Sequence, residues 1–184
     1  MGTGVTLSWL LSGAAVISGV AYIAMTYGGP LWLRYLLKPL TTLLILAVAA
    51  SFADPISTLY RTLIIAGIAF SLAGDVFLML PQNTFVFGLV SFLIAHIFYI
   101  FAYRSVSGFH LTWWLALPYV VYGFFMIYLL WPHVGALRIP VIIYAAVLMI
   151  MGWQAAEQWW VVRDTSMLLA MIGALLFIVS DTTL

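Results

Sequence analysis

The chain has no cysteine among its 184 residues and very little charge. Without cysteine there can be no disulfide, no thiolate metal site and no cysteine nucleophile. Charged residues make up 6% of the sequence, against about 25% in an ordinary soluble domain. Six Lys and Arg against five Asp and Glu leave a formal net charge of +1. No basic stripe exists, so no nucleic-acid partner is expected. The N-terminus lacks the basic flank of a signal peptide, so the first apolar stretch reads as a retained helix. Met1-Gly2 with Thr6 fits a myristoylation pattern, but a spanning protein needs no lipid anchor. Several catalytic signatures are also missing. There is no G-x-S-x-G elbow for a serine hydrolase. There is no H-E-x-x-H and no Cys/His cluster, so no metal is expected. No Walker or Rossmann glycine loop is present, Gly28-Gly29-Pro30 reads as a turn, and no cofactor is expected. Carboxylate acid–base chemistry or proton-linked transport is what remains.

In place of charge the chain has hydrocarbon. Hydrophobic residues are 66% of the sequence. A spanning helix needs about 20 mostly apolar residues. Seven stretches qualify: Leu7–Tyr27, Pro39–Ala53, Leu63–Leu80, Phe85–Tyr103, Thr112–Trp131, Ile139–Gln158 and Ser166–Leu184. The second is short, and its start lies nearer Leu36 if it is to span. Strands of about ten alternating residues, the mark of a membrane barrel, are not seen. The expected fold is all-α: a polytopic transmembrane helix bundle forming a single domain over residues 1–184. Trp9, Trp32, Trp113, Trp114, Trp131, Trp159 and Trp160 fall at segment ends, where interfacial aromatics belong. Only Trp153 falls clearly inside a segment. The face holding the first connection carries Arg34, Lys38 and Arg138. The other carries Arg61, Arg104 and Arg163, with Asp54, Glu157 and Asp164. Three basic residues on each face leave the orientation unset by the positive-inside rule.

Two aspartates lie inside these segments in matching contexts. Asp75 is in GIAFSLAGDVFLM and Asp181 in GALLFIVSDTTL. Each follows a Gly by eight residues (Gly67, Gly173), has a small residue just before it (Gly74, Ser180) and a Leu three residues after it (Leu78, Leu184). An ionisable group near mid-membrane costs about 2.5–3.5 kcal/mol on insertion scales, so it usually faces a cavity or a partner. Helices three and seven run in the same direction, which makes the repeat parallel rather than inverted. Such a repeat divides the chain into halves 1–103 and 104–184 and predicts eight helices. The chain supplies seven and ends three residues after Asp181, so it is expected to be a seven-helix variant or to lack the last helix. At a rise of about 1.5 Å per residue, Asp75 lies about 9 Å from one end of its helix and Asp181 about 23 Å from the opposite end of its own. Both carboxylates are then at similar depth, and one shared site is expected. The plain alternative is that each is a hydrogen-bonded acid fixing helix packing.

The other candidates are weaker. His96 lies inside helix four with Tyr99 one turn on; either could be a packing residue. Lys38, beside Pro39 at an expected helix start, could bind a headgroup or merely snorkel. Glu157 and Gln154 read as interfacial anchors, and His110 and His133 as loop residues.

Four motifs together resemble one family. KPLTTLL, FSLAGDVFLM, the G-x-x-x-F-x-x-A-H-x-x-Y pattern (Gly88, Phe92, His96, Tyr99) and GALLFIVSDTTL, in this order and spacing, are similar to the YhhN/lysoplasmalogenase family. Helices one, five and six match only by hydropathy. The resemblance implies an eight-helix integral membrane protein, in a bacterium one of the inner membrane. It implies hydrolysis of the vinyl ether bond of a lysoplasmalogen-type lysophospholipid, giving a fatty aldehyde and a glycerophospho-alcohol. Membrane lipids are the implied surroundings and the lysophospholipid the implied partner. The chemistry suits two carboxyls. One stays protonated as general acid, and the other stays ionised to stabilise an oxocarbenium ion and orient water, much as glycosidases divide the work. Asp75 and Asp181 are the expected acids and His96 a third catalytic candidate. Lys38, Arg34 and Tyr99 are expected at the substrate, with Lys38 or Arg34 on its phosphate. The rival reading is a proton-coupled transporter or flippase of a lipid or small apolar solute. Many transporters break helices at the site; here only Pro118 and Pro140 interrupt the expected helices.

Overall fold

The computed structural model describes residues 2–51, 56–80 and 84–181, with side chains from Leu7 onward. Met1, Asp54, Pro81, Leu184 and the Thr6 side chain, used as markers above, lie outside the described residues. Seven α-helices account for nearly all the rest: α1 Gly2–Thr26, α2 Leu31–Ser51, α3 Thr58–Met79, α4 Phe85–Ser107, α5 Trp113–Leu130, α6 Arg138–Val162 and α7 Thr165–Asp181. A single 3-10 turn, Gly135–Leu137, leads into α6. No strand occurs among the described residues. The first six helices are long and apolar enough to cross a membrane, and α7 is shorter at 17 residues. In lipid every backbone group must be bonded within the segment, which is why long uninterrupted helices form here. Large apolar side chains point outward, Ile17 being 72% exposed and Phe124 70%. In water that would be an aggregation hazard; against lipid tails it is the expected surface.

Of the boundaries that differ from the sequence expectation, two bear on the candidate residues. Helix α2 begins at Leu31, so Pro39 is inside it and not at its start. Proline favours a first turn because its missing N–H would be unbonded there anyway. Here Pro30 takes that place: the Gly29-Pro30 turn already starts the helix, with Leu33 N bonded to Pro30 O at 3.1 Å. Pro39 leaves only the Tyr35 carbonyl without its ladder partner. Helix α6 runs on to Val162, a turn beyond the expected Gln158. Arg163 stops it in the left-handed region at φ 58°, with its N–H bonded to Trp159 O at 2.9 Å. Its guanidinium lies 3.8 Å from the Trp160 ring centroid. Asp164 then caps α7, accepting from Ser166 N at 3.2 Å. Those Ser166 bonds hold the exposed Asp164 carboxyl below the usual carboxylate range.

The chain forms two compact units, Met1–Ala95 and His96–Leu184, and α4 runs from one into the other. In the first unit α1 packs along α2, and α2 along α3. Ser18 and Thr41 hydroxyls meet at 2.7 Å across the first of these contacts. In the second unit α6 is central, packing against α5 and α7. Gly152 is the meeting point. A Cβ there would lie 2.5 Å from Ile178 Cδ1 on α7 and 2.7 Å from Tyr119 Cε1 on α5, so only glycine lets both neighbours approach.

Candidate functional site

Asp75 belongs to the first unit and Asp181 to the second, and each is built from its own surroundings. Asp75 is 7% exposed on α3. The residue before it, Gly74, lies under the Phe92 ring of α4; an added Cβ would be 2.6 Å from Phe92 Cδ2. A small residue is therefore required there for α4 to close over the acid. From α2, residues Arg34, Lys38 and Thr42 follow one another at one-turn spacing and share a face. Lys38 Nζ lies 3.2 Å from Asp75 Oδ1. Thr42 Oγ1 donates to Asp75 Oδ2 at 2.7 Å. Both carboxylate oxygens thus have a donor, the condition under which a buried ion pair is tolerable. Lys38 is consequently not a free rim residue at a helix start: it is inside α2, with its charge turned onto Asp75. Arg34 differs. Its Nη2 donates to Gly29 O at 3.0 Å, while its Nε is buried with no partner among the described residues.

Asp181 ends α7 as described and accepts a hydrogen bond from the Tyr144 phenol of α6. Tyr144 precedes it by 37 residues, the same interval that separates Lys38 from Asp75. The Tyr144 ring also packs edge-on to His96, with centroids 5.4 Å apart. Phe177 of α7 closes on the imidazole at 5.0 Å, and Tyr99 stands at 6.3 Å. His96 is 0% exposed, and neither ring nitrogen has a hydrogen-bond partner among the described residues. The second unit therefore brings together His96, Tyr99 and Asp181 through Tyr144. The two matching glycines are not equivalent in packing: Gly67 is buried, whereas a Cβ at Gly173 would meet nothing within 4 Å.

The sequence reads Glu157 and Gln154 as interfacial anchors; the structure puts Glu157 beside the α4–α5 connection and buries both side chains inside the protein. Glu157 is 0% exposed. The connection after α4 folds over it, so that Thr112 donates through its N–H at 2.5 Å and its hydroxyl at 3.1 Å. Trp153 Nε1 donates at 3.0 Å from one turn back. Gln158 is held by Ser107 Oγ at 2.7 Å. His110 and His133 lie in connections, as expected, His110 Nε2 being 3.0 Å from Ser107 O.

Sequence reading missed Thr42 and Tyr144, the neutral partners of the two acids. Thr42 is visible there only as the second Thr of KPLTTLL, and Tyr144 only as a hydroxyl in an apolar run. A cavity of about 270 Å³ lies between α5 and α6, lined by residues such as Ala116, Tyr119, Gly123, Met149 and Trp153. Its lining holds no carboxylate, imidazole or cation, so it suits hydrocarbon and not proton transfer. No group of acids and histidines able to hold a metal ion occurs among the described residues.

The YhhN family model matches residues 33–184. The "Uncharacterized membrane protein YhhN" of Escherichia coli O157:H7 is 29% identical over 168 residues, covering 91% of this chain and 80% of that one. The Shigella flexneri protein of the same name matches equally. "Lysoplasmalogenase TMEM86A" of Bos taurus is 32% identical over 164 residues, covering 84% of this chain and 66% of that one. No solved structure gives a significant match.

Proposed function

Because the chain belongs to the YhhN family, a family of multi-pass membrane proteins, we propose that it is a membrane-embedded hydrolase acting on the vinyl ether bond of lysoplasmalogen-type lysophospholipids. The observation that carries this reading is Asp75, a buried carboxylate inside an apolar helix with Lys38 and Thr42 aimed at it. The name of the bovine relative supports the substrate class. The overall reaction adds water across the bond. A carboxyl proton passes to the alkenyl carbon away from oxygen, and the C=C pair forms the new C–H bond. The remaining oxocarbenium carbon takes water, which returns one proton to the site. The hemiacetal then collapses: its O–H bond breaks as the aldehyde C=O forms, its C–O bond to glycerol breaks, and the glycerol oxygen takes up a proton to leave as the alcohol. Proton transfer by a positioned acid contributes about 10²–10⁴-fold in such steps.

Arg34 is the better phosphate ligand in this reading. Lys38 spends its charge on Asp75, whereas Arg34 keeps a buried Nε unbonded among the described residues. Arg34→Gln is expected to raise KM for a lysoplasmalogen while leaving KM for the phosphate-free 1-alkenylglycerol unchanged. Equal KM changes on both substrates would remove Arg34 from the headgroup. The activity itself is tested with purified protein in detergent, without any gradient. Lysoplasmalogen should yield aldehyde, and the saturated alkyl-ether analogue, which has no C=C to protonate, should yield none. The transport reading keeps one observation in its favour: Pro39 interrupts the α2 ladder beside Lys38. Movement of a labelled lipid across vesicles that strictly requires a proton gradient, with no aldehyde formed, would support it instead.

A further inference from the structure

Lys38 is the sole lysine of the chain; the other five basic residues are arginines. Among the described residues it is also the basic side chain that stands on a carboxylate. A permanent ion pair does not ask for lysine. Arginine is always charged and can meet a carboxylate through two parallel bonds. Lysine brings a different chemistry: its nitrogen can give up a proton and attack a carbonyl carbon. Asp75 stands where that proton would go. Its Oδ1 is 3.2 Å from Lys38 Nζ, within reach for proton transfer, while Thr42 holds its other oxygen. The pair is also open to an apolar visitor. The Lys38 side chain is 19% exposed, and α2 has no buried residue. Tyr35, a neighbour of Lys38 on the helix surface, is 49% exposed, and Leu36 beside it 53%.

We propose that Lys38 is a covalent capture site for a long-chain aldehyde, held as a protonated Schiff base with Asp75 as its counter-ion. The hydrolase reading above supplies a source of such an aldehyde, and the inference rests on it for that source alone. The ammonium first passes a proton to Asp75. The freed nitrogen pair forms a bond to the aldehyde carbon, the C=O pair moves onto oxygen, and that oxygen takes the proton back from Asp75. The nitrogen, now carrying one hydrogen too many, gives a second proton to Asp75. The nitrogen pair then forms the C=N bond, the C–O bond breaks, and the hydroxyl leaves as water with the proton from Asp75. Ammonium and aldehyde have become iminium and water, and no other reactant is consumed. The positive charge still faces the Asp75 carboxylate, and Thr42 keeps its bond. Water reverses the sequence and releases the aldehyde.

The test uses the purified full-length chain in detergent at neutral pH, with hexadecanal as the probe. The imine is reduced with sodium borohydride and located by mass spectrometry of the whole chain and its peptides. One hexadecyl group should appear on Lys38. Lys38→Arg, which keeps a cation on Asp75, should take no label. Asp75→Asn should label at least about 10²-fold more slowly, because no acid remains to carry the hydroxyl away. Wild type unfolded in SDS, where Asp75 no longer stands beside the amine, should be slower by a similar factor, and this comparison needs no variant to fold. An unlabelled Lys38, a label that persists in Lys38→Arg, or labelling as fast in the unfolded chain overturns the proposal. Because hexadecanal is supplied, a wild type that takes the label yet releases no aldehyde from lysoplasmalogen contradicts hydrolysis alone.

Discussion

At the scale of single residues, the ion pair changes what a mutation at Asp75 means. Asn keeps the volume, but it leaves Lys38 as a half-buried charge without its counter-ion. Breaking a fully buried pair costs about 3–5 kcal/mol; the exposed part of Lys38 reduces that cost, and Asp75→Asn should still lower the melting temperature as well as turnover. The double variant Lys38→Met/Asp75→Asn should recover the melting temperature and not the activity. Recovery of both would mean that the pair serves packing only. Lys38→Ala should therefore act mainly on kcat, where the sequence alone suggests a headgroup residue and a change in KM. Asp75, Asp181 and His96 are legible in the sequence because an ionisable side chain stands out in an apolar run. Thr42 and Tyr144 are not, since a neutral hydroxyl in a membrane helix carries no such signal. Their importance depends on which oxygen they face.

At the scale of helices, seven apolar stretches are readable from length and composition, and seven helices form among the described residues. Their ends are less readable. Pro39 looks like a helix start by its chemistry, yet the Gly29-Pro30 turn upstream already provides one. Glu157 looks interfacial because it stands one residue from the expected end of its segment. The α4–α5 connection, through Thr112, covers it. Glu157→Ala would strand the Thr112 and Trp153 donors in a dry place, each costing about 1–3 kcal/mol. It should lower thermal stability clearly while KM for substrate is unchanged; a silent substitution would show that water reaches these groups. Gly74→Val is the corresponding test on α3. Its side chain would overlap the Phe92 ring, and overpacking of this kind costs about 1–3 kcal/mol. An unchanged melting temperature would show that α3 and α4 are not held together there.

For the whole molecule, the membrane class follows from composition alone, because a chain with 6% charge cannot cover itself for water. The chemistry does not follow from composition. In the proposed reading it comes from two acids and the residues that meet them, and the meeting of Tyr144 with Asp181 is visible only in three dimensions. The measurement that tests the account most directly is aldehyde release from lysoplasmalogen by purified wild type and Asp181→Asn in detergent. Wild type should release aldehyde with no gradient present, and Asp181→Asn should be slower by at least about 10²-fold at an unchanged melting temperature. Near-normal release by a folded Asp181→Asn variant, or none by the wild type, would contradict acid catalysis at this site.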